Sequence, residues 1–194
     1  MLDNLKKYRI LLASASPRRR ELLAGLGLPF TVIRPEGVDE SWPEGLQGAE
    51  IPEYIARSKA EACRATLQAD ELLITADTIV WLDGRVLGKP ADEREAVEML
   101  QALSGRTHQV YTGVCLTTTA CQRCFSAVSH VRFASLTDDE IRYYVGHYHP
   151  FDKAGAYGVQ EWIGMVGVEY IEGSYFNVMG LPVQRLYSEL KLII

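Results

Sequence analysis

The chain has 194 residues, 47% hydrophobic and 23% charged, which is ordinary for one folded domain or for one domain in two lobes. Its 20 basic and 25 acidic side chains give a net charge of −5, which argues against gripping the phosphate backbone of a long nucleic acid but leaves room for one basic pocket around a small polyphosphate. No apolar run reaches the ~18–20 residues of a membrane span, and Ile10-Leu11-Leu12-Ala13 is too short for a signal segment, so the expected location is the cytoplasm with no membrane partner.

In chain order, Tyr8–Ala13 reads as a strand. Ser14-Ala15-Ser16-Pro17 leads into a helix with Leu22, Leu23 and Leu26 on one face and Gly25 and Gly27 at its end. Phe30–Ile33 is a second strand, followed by a long Pro-, Gly- and acid-rich loop over 34–48, a length more often functional than idle. Pro52 opens a helix whose predicted buried stripe holds Ile51, Ile55 and Ala62, with Lys59 beside it. Leu72–Leu82 is strand-like yet contains Asp77, and Asp83-Gly84 turns the chain back into Arg85-Val86-Leu87. Asp92 and Glu95 form a helix start ahead of Ala96, Leu100 and Leu103, with Gly105 as the stop. Strands are expected over Gln109–Thr117 and Ser126–Phe133. Thr137 and Glu140 make a second capping box, with Leu136 and Ile141 as its staple, for a helix ending near His149-Pro150. The remainder is Gly-punctuated and aromatic, read as rich in β-structure, and closes with a helix from Pro182 to Leu190. Alternating helices and strands followed by a β-rich part give an α/β class with a mixed sheet.

Five segments could carry chemistry. In Ser14-Ala15-Ser16-Pro17-Arg18-Arg19-Arg20 a strand runs into a helix N-terminus, where free N–H groups and the helix dipole attract anions. Three arginines there oppose the dipole unless an anion compensates them. Asp77 interrupts an apolar strand, so its carboxylate must be paired, bound to metal or open to a cleft. Lys89 is held between Gly88 and Pro90. Asp39 and Glu40 in the acidic loop, with Lys59, could serve Mg²⁺, which takes one or two carboxylates and fills the rest from substrate phosphate. In Asp152-Lys153-Ala154-Gly155-Ala156-Tyr157-Gly158-Val159-Gln160 small residues allow close backbone approach and Gln160 offers both a donor and an acceptor. The four cysteines define no disulfide framework and are expected as thiols, and the Cys121-x-x-Cys124 pair lacks the further ligands of a zinc site.

Together these segments resemble the Maf family of nucleoside triphosphate pyrophosphatases. The resemblance runs in order through Ser14-Ala15-Ser16-Pro17-Arg18-Arg19, Asp39-Glu40, Lys59, Ala76-Asp77-Thr78, Gly88-Lys89-Pro90, Ser104-Gly105-Arg106-Thr107-His108, Thr112-Gly113-Val114, Asp152-Lys153-Ala154-Gly155-Ala156-Tyr157 and Gly180-Leu181-Pro182. It implies cleavage of a nucleotide between its α and β phosphates, a divalent metal (Mg²⁺ or Mn²⁺), and an elongated α/β body related to the inosine triphosphate pyrophosphatases, or Ham1-like proteins. In that body a mixed sheet is flanked by helices, a cleft lies between two lobes, and a homodimer is common.

The resemblance also implies roles. Ser14, Arg18 and Arg19 hold the phosphates; Lys59 and Lys89 neutralise charge on the leaving pyrophosphate; Glu40 and Asp77 bind the metal or orient water, with Asp77 the preferred proton acceptor. Arg18, Thr78 and Gln160 match the type acting on dTTP and UTP rather than the type acting on a methylated GTP. Two rivals stand beside this enzyme: a nucleotide-binding regulator of division without turnover, and a redox or metal module on Cys121 and Cys124.

Overall fold

A computed structural model describes residues 2–34 and 37–193; Pro35 and Glu36, inside the predicted loop, lie outside the described residues. The strands are β1 (Arg9–Ala13), β2 (Phe30–Ile33), β3 (Glu71–Leu82), β4 (Arg85–Leu87), β5 (Thr107–Thr117), β6 (Gln122–Phe133) and β7 (Val168–Glu172). The α-helices are α1 (Pro17–Ala24), α2 (Glu50–Arg64), α3 (Glu93–Leu103), α4 (Asp138–Tyr148), α5 (Trp162–Gly167), α6 (Tyr175–Met179) and α7 (Val183–Leu190). Among the described residues the seven strands form one mixed sheet in the order β2-β1-β3-β5-β6-β7, with β4 paired to β3. β1 runs parallel to β2 and β3, whereas β4 and β7 are antiparallel to their neighbours.

The chain divides into two compact units. The first comprises Met1–Asp77, Thr112–Ala127 and Gly180–Ile194. Its central strands β1, β3 and β5 are covered on both faces, so their side chains alternate between two cores. Leu12, Leu72, Ile74, Val114 and Leu116 face α1 and α7, where they meet Leu23, Leu186 and Leu190. The intervening Ala13, Leu73 and Cys115 face α2 and meet Ala56, Ala60 and Cys63. Two features press α2 onto this second face. The Thr75 hydroxyl donates to the Ala56 carbonyl at 2.6 Å. Gly113 of β5 lies under the first turn of α2, where a Cβ would fall 2.3 Å from the Pro52 carbonyl carbon.

Two sequence expectations change here. Ala62 is exposed, and the buried face of α2 runs through Pro52, Ile55, Ala56, Lys59, Ala60 and Cys63, so Lys59 lies in the stripe rather than beside it. The cysteines are not all thiols: Cys115 of β5 and Cys124 of β6 form a disulfide, their Cα atoms 4.2 Å apart, while Cys63 and Cys121 stay free. The tight turn between the two strands closes with Thr118 N–H donating to the Cys121 carbonyl at 2.8 Å, which sets Cys115 and Cys124 opposite one another.

The second unit comprises Thr78–Tyr111 and Val128–Met179. Its core joins Val80, Leu100, Leu103, Val131, Phe133, Ile141, Tyr144 and Ile163. Asp92 caps α3 by accepting the Glu95 N–H at 2.8 Å, and Thr137 with Glu140 forms the full capping box of α4. The aromatic tail carries less β-structure than its sequence suggests. Met165 to Gly167 belong to α5, Tyr175 to Val178 fall within α6, and β7 is the strand between them.

Candidate active site

Strand parity places Asp77. It follows Leu73 and Thr75 on the α2 face of β3, and α2 presents Lys59 there, one turn after Ala56. The Lys59 ammonium donates to Asp77 Oδ1 at 2.7 Å and lies 2.7 Å from Glu40 Oε1. Lys59 and Asp77 are nearly buried, with side chains 9% and 13% exposed, whereas Glu40 is 52% exposed. The carboxylate in the apolar strand is therefore paired, and the long acidic loop supplies the second partner.

The turn before α1 is held by its own hydroxyls. Ser14 Oγ accepts the Ser16 N–H at 3.2 Å, and Ser16 caps α1 by accepting the Arg19 N–H at 3.4 Å. Arg19 reaches back across the unit: Nε donates to the Gly180 carbonyl and an amino nitrogen to the Ala76 carbonyl, each at 2.8 Å. Burial lowers the proton affinity of Arg19, neighbouring Asp77 and Glu40 raise it, and Arg18 lowers it further. One arginine thus braces the backbone beside Asp77 and adds positive potential to the same neighbourhood. Arg18 is half-buried and Arg20 exposed.

The family model described as Maf-like protein matches residues 9–193. The chain belongs to the Maf-like family. A dTTP/UTP pyrophosphatase of Bacteroides thetaiotaomicron is 64% identical over 191 residues, 98% of this chain and 99% of that one. A dTTP/UTP pyrophosphatase of Porphyromonas gingivalis is 55% identical over 193 residues, 98% of this chain and 97% of that one. Among solved structures a HAM1 protein from Coxiella burnetii shares the fold, with a TM-score of 0.51 at 18% identity over 95% of this chain and 99% of that one.

The remaining expected site residues of this Maf-like chain lie in its second unit. Thr78 is half-buried on the face of β3 opposite Asp77. Lys89 is exposed, and its root is fixed because the Gly88 carbonyl accepts the Gly155 N–H at 3.0 Å. Gly155 has φ of 68° and sits against Val80, where a Cβ would fall 2.9 Å from a methyl carbon, so both its conformation and its size are required. Gln160 carries a buried Oε1 with no hydrogen-bond partner among the described residues.

The carboxylate pair suits a hard divalent cation. Glu40 and Asp77 converge on one positive charge, and Mg²⁺ or Mn²⁺ asks for one or two such carboxylates with phosphate oxygens completing the shell. Among the described residues no cluster of three or more His, Cys, Asp or Glu side chains could hold a metal.

Sequence reasoning missed the carbonyl clamp of Arg19 and the polar network behind Gln160, built from Tyr144, Lys153 and Glu161. Neither leaves a spacing signal, because each joins residues far apart in the chain to backbone atoms or to one another.

Proposed function

We propose that this chain hydrolyses pyrimidine nucleoside triphosphates, dTTP and UTP foremost, to the monophosphate and pyrophosphate. The observation that carries the reading is the buried Lys59 ammonium bridging Asp77 and Glu40, in a chain 64% identical to a dTTP/UTP pyrophosphatase. Both units are taken to serve one catalytic domain.

In this account Ser14, the turn N–H groups, Arg18 and Arg19 receive the phosphate tail. Glu40 and Asp77 would hold a divalent cation, whose charge would offset that of the phosphate oxygens. Asp77 takes a proton from the attacking water as its oxygen bonds to the α-phosphorus and the bond to the bridging oxygen breaks. The departing pyrophosphate gathers negative charge, which Lys59 and Lys89 stabilise; fixed charges of this kind supply most of phosphoryl-transfer catalysis. Thr78, Arg18 and Gln160 select the base. The Gln160 amide can pair with the adjacent N–H and C=O of uracil or thymine.

The test is Asp77→Asn. A positioned general base contributes about 10²–10⁴-fold, so turnover of UTP should fall at least a hundredfold while the variant melts as a folded protein. Near-normal turnover would remove Asp77 from the role.

A further inference from the structure

An amide that reads a base has a built-in ambiguity. Its oxygen and nitrogen ends have nearly the same shape, so a freely turning Gln160 would pair with uracil in one orientation and with cytosine in the other. Uracil and thymine present a ring N–H beside a carbonyl; cytosine presents a ring acceptor beside an amino group. Selection between rings of equal size therefore requires that something hold the amide one way round.

The structure surrounds Gln160 with such a device. Gly158 to Glu161 form a tight turn closed by the Glu161 N–H donating to the Gly158 carbonyl at 3.0 Å. Both ends of the turn are tied to one hydroxyl: Gly158 N–H donates to Tyr144 Oη at 3.0 Å, and Tyr144 Oη donates to Glu161 Oε2. The other carboxylate oxygen, Glu161 Oε1, lies 3.2 Å from the Lys153 ammonium, which also donates to Asp152 Oδ1 at 2.6 Å. Tyr144 is fully buried and Lys153 is 7% exposed. Burial, reinforced by the Glu161 carboxylate, holds the Tyr144 phenol far above its ordinary range, so it stays a donor.

The Gln160 amide and this carboxylate both border Gly158. A Cβ placed on Gly158 would stand 2.9 Å from Glu161 Oε2 and 3.1 Å from Gln160 Nε2, so the amide end turned towards that shared point is the NH₂ rather than the oxygen. Its Oε1 is left buried with no partner among the described residues. A desolvated acceptor of that kind is unfavourable unless a ligand donor meets it. The carboxylate favours this orientation and opposes the flipped one, in which an oxygen would face Glu161.

We propose that Glu161, held by Tyr144 and Lys153, is a positioning residue that fixes the orientation of the Gln160 amide and thereby makes the enzyme prefer uracil and thymine nucleotides over cytosine nucleotides. This rests on the reading that Gln160 contacts the base. Loss of the Glu161 charge frees the amide to turn, and CTP then becomes a better substrate while the phosphate chemistry is untouched.

The experiment compares kcat/KM for UTP and CTP in Glu161→Gln, Tyr144→Phe and Gln160→Ala. Removing an orienting charge or hydrogen bond should lower the UTP/CTP ratio about tenfold in the first two variants, mainly through a gain on CTP, with kcat on UTP little changed. Tyr144→Phe keeps the ring volume and carries the test if Glu161→Gln fails to fold. A purely structural role would depress both substrates alike and leave the ratio unmoved, which overturns the proposal. Gln160→Ala separates the two layers: if it collapses the ratio while the positioning variants do not, only the proposal falls. If it leaves the ratio unchanged, base reading by Gln160 fails and the proposal fails with it.

Discussion

Single residues carry the contrast between charge that is used and charge that is avoided. Asp77 and Lys59 sit in a nearly dry part of the first unit because each satisfies the other, and Glu40 shares the same ammonium. His108 is the opposite case. It is fully buried, its Nε2 is 2.8 Å from the Tyr157 hydroxyl, and its Nδ1 has no partner among the described residues. Phe133 and Tyr157 pack edge-on against its ring. Nothing there welcomes a second proton, and burial lowers its pKa from 6.5 to about 4. The unfolded chain therefore binds the proton first as pH falls, so the native state is fully favoured above 6.5 and loses ground down to about 4. A gap of this size corresponds to about 3 kcal/mol. Urea unfolding at pH 7 and pH 4.5 should show a larger acid loss in the natural chain than in His108→Gln. Equal losses would mean that His108 does not set this sensitivity.

At the level of elements, α2 couples the fold to the site. Its inward face carries Ala56, Ala60 and Cys63 for packing and Lys59 for chemistry, and it rests directly on the backbone of β5 at Gly113. Gly113→Ala would drive a methyl group into Pro52 and Glu53, which are backbone and cannot swing aside. Overpacking of this kind destabilises by about 1–3 kcal/mol. Because the helix that must shift also carries Lys59, UTP turnover should fall along with the melting temperature. A variant that melts lower yet turns over normally would show that the seat of α2 does not position Lys59. The same helix marks what sequence can and cannot reveal. Lys59, Asp77 and Glu40 were legible as candidates because a charge in an apolar strand, beside a stripe, or in a long loop breaks a local pattern. The phase of the stripe was misread at Ala62, since the buried face drifts around the helix through Pro52, Ala56 and Cys63. The Cys115–Cys124 disulfide was illegible because it depends on the cross-strand register of β5 and β6 rather than on sequence spacing. Glu161 was hidden likewise: it is held by Tyr144 on α4 and Lys153 in the preceding loop, neither of them adjacent to it in the chain.

Taken whole, the molecule has a net charge of −5 and nonetheless gathers Arg18, Arg19 and Lys59 in its first unit, close to two carboxylates suited to a divalent cation. The class of the fold was legible from the alternation of helices and strands, and the Coxiella burnetii HAM1 protein shares it at 18% identity. The β-rich reading of the tail failed because aromatic and Gly-rich segments such as Tyr175 to Val178 suit a short helix packed on a sheet as well as a strand. Among the described residues no helix is long and apolar enough to cross a membrane. The central claim is the reaction itself, and the most direct measurement is pyrophosphate release with Mg²⁺ across dTTP, UTP, CTP, GTP and ATP, with the nucleotide product identified. The account predicts monophosphate and pyrophosphate in equal amounts, with dTTP and UTP turned over fastest. Release of inorganic phosphate and a diphosphate instead, or no turnover of any of the five, would contradict it.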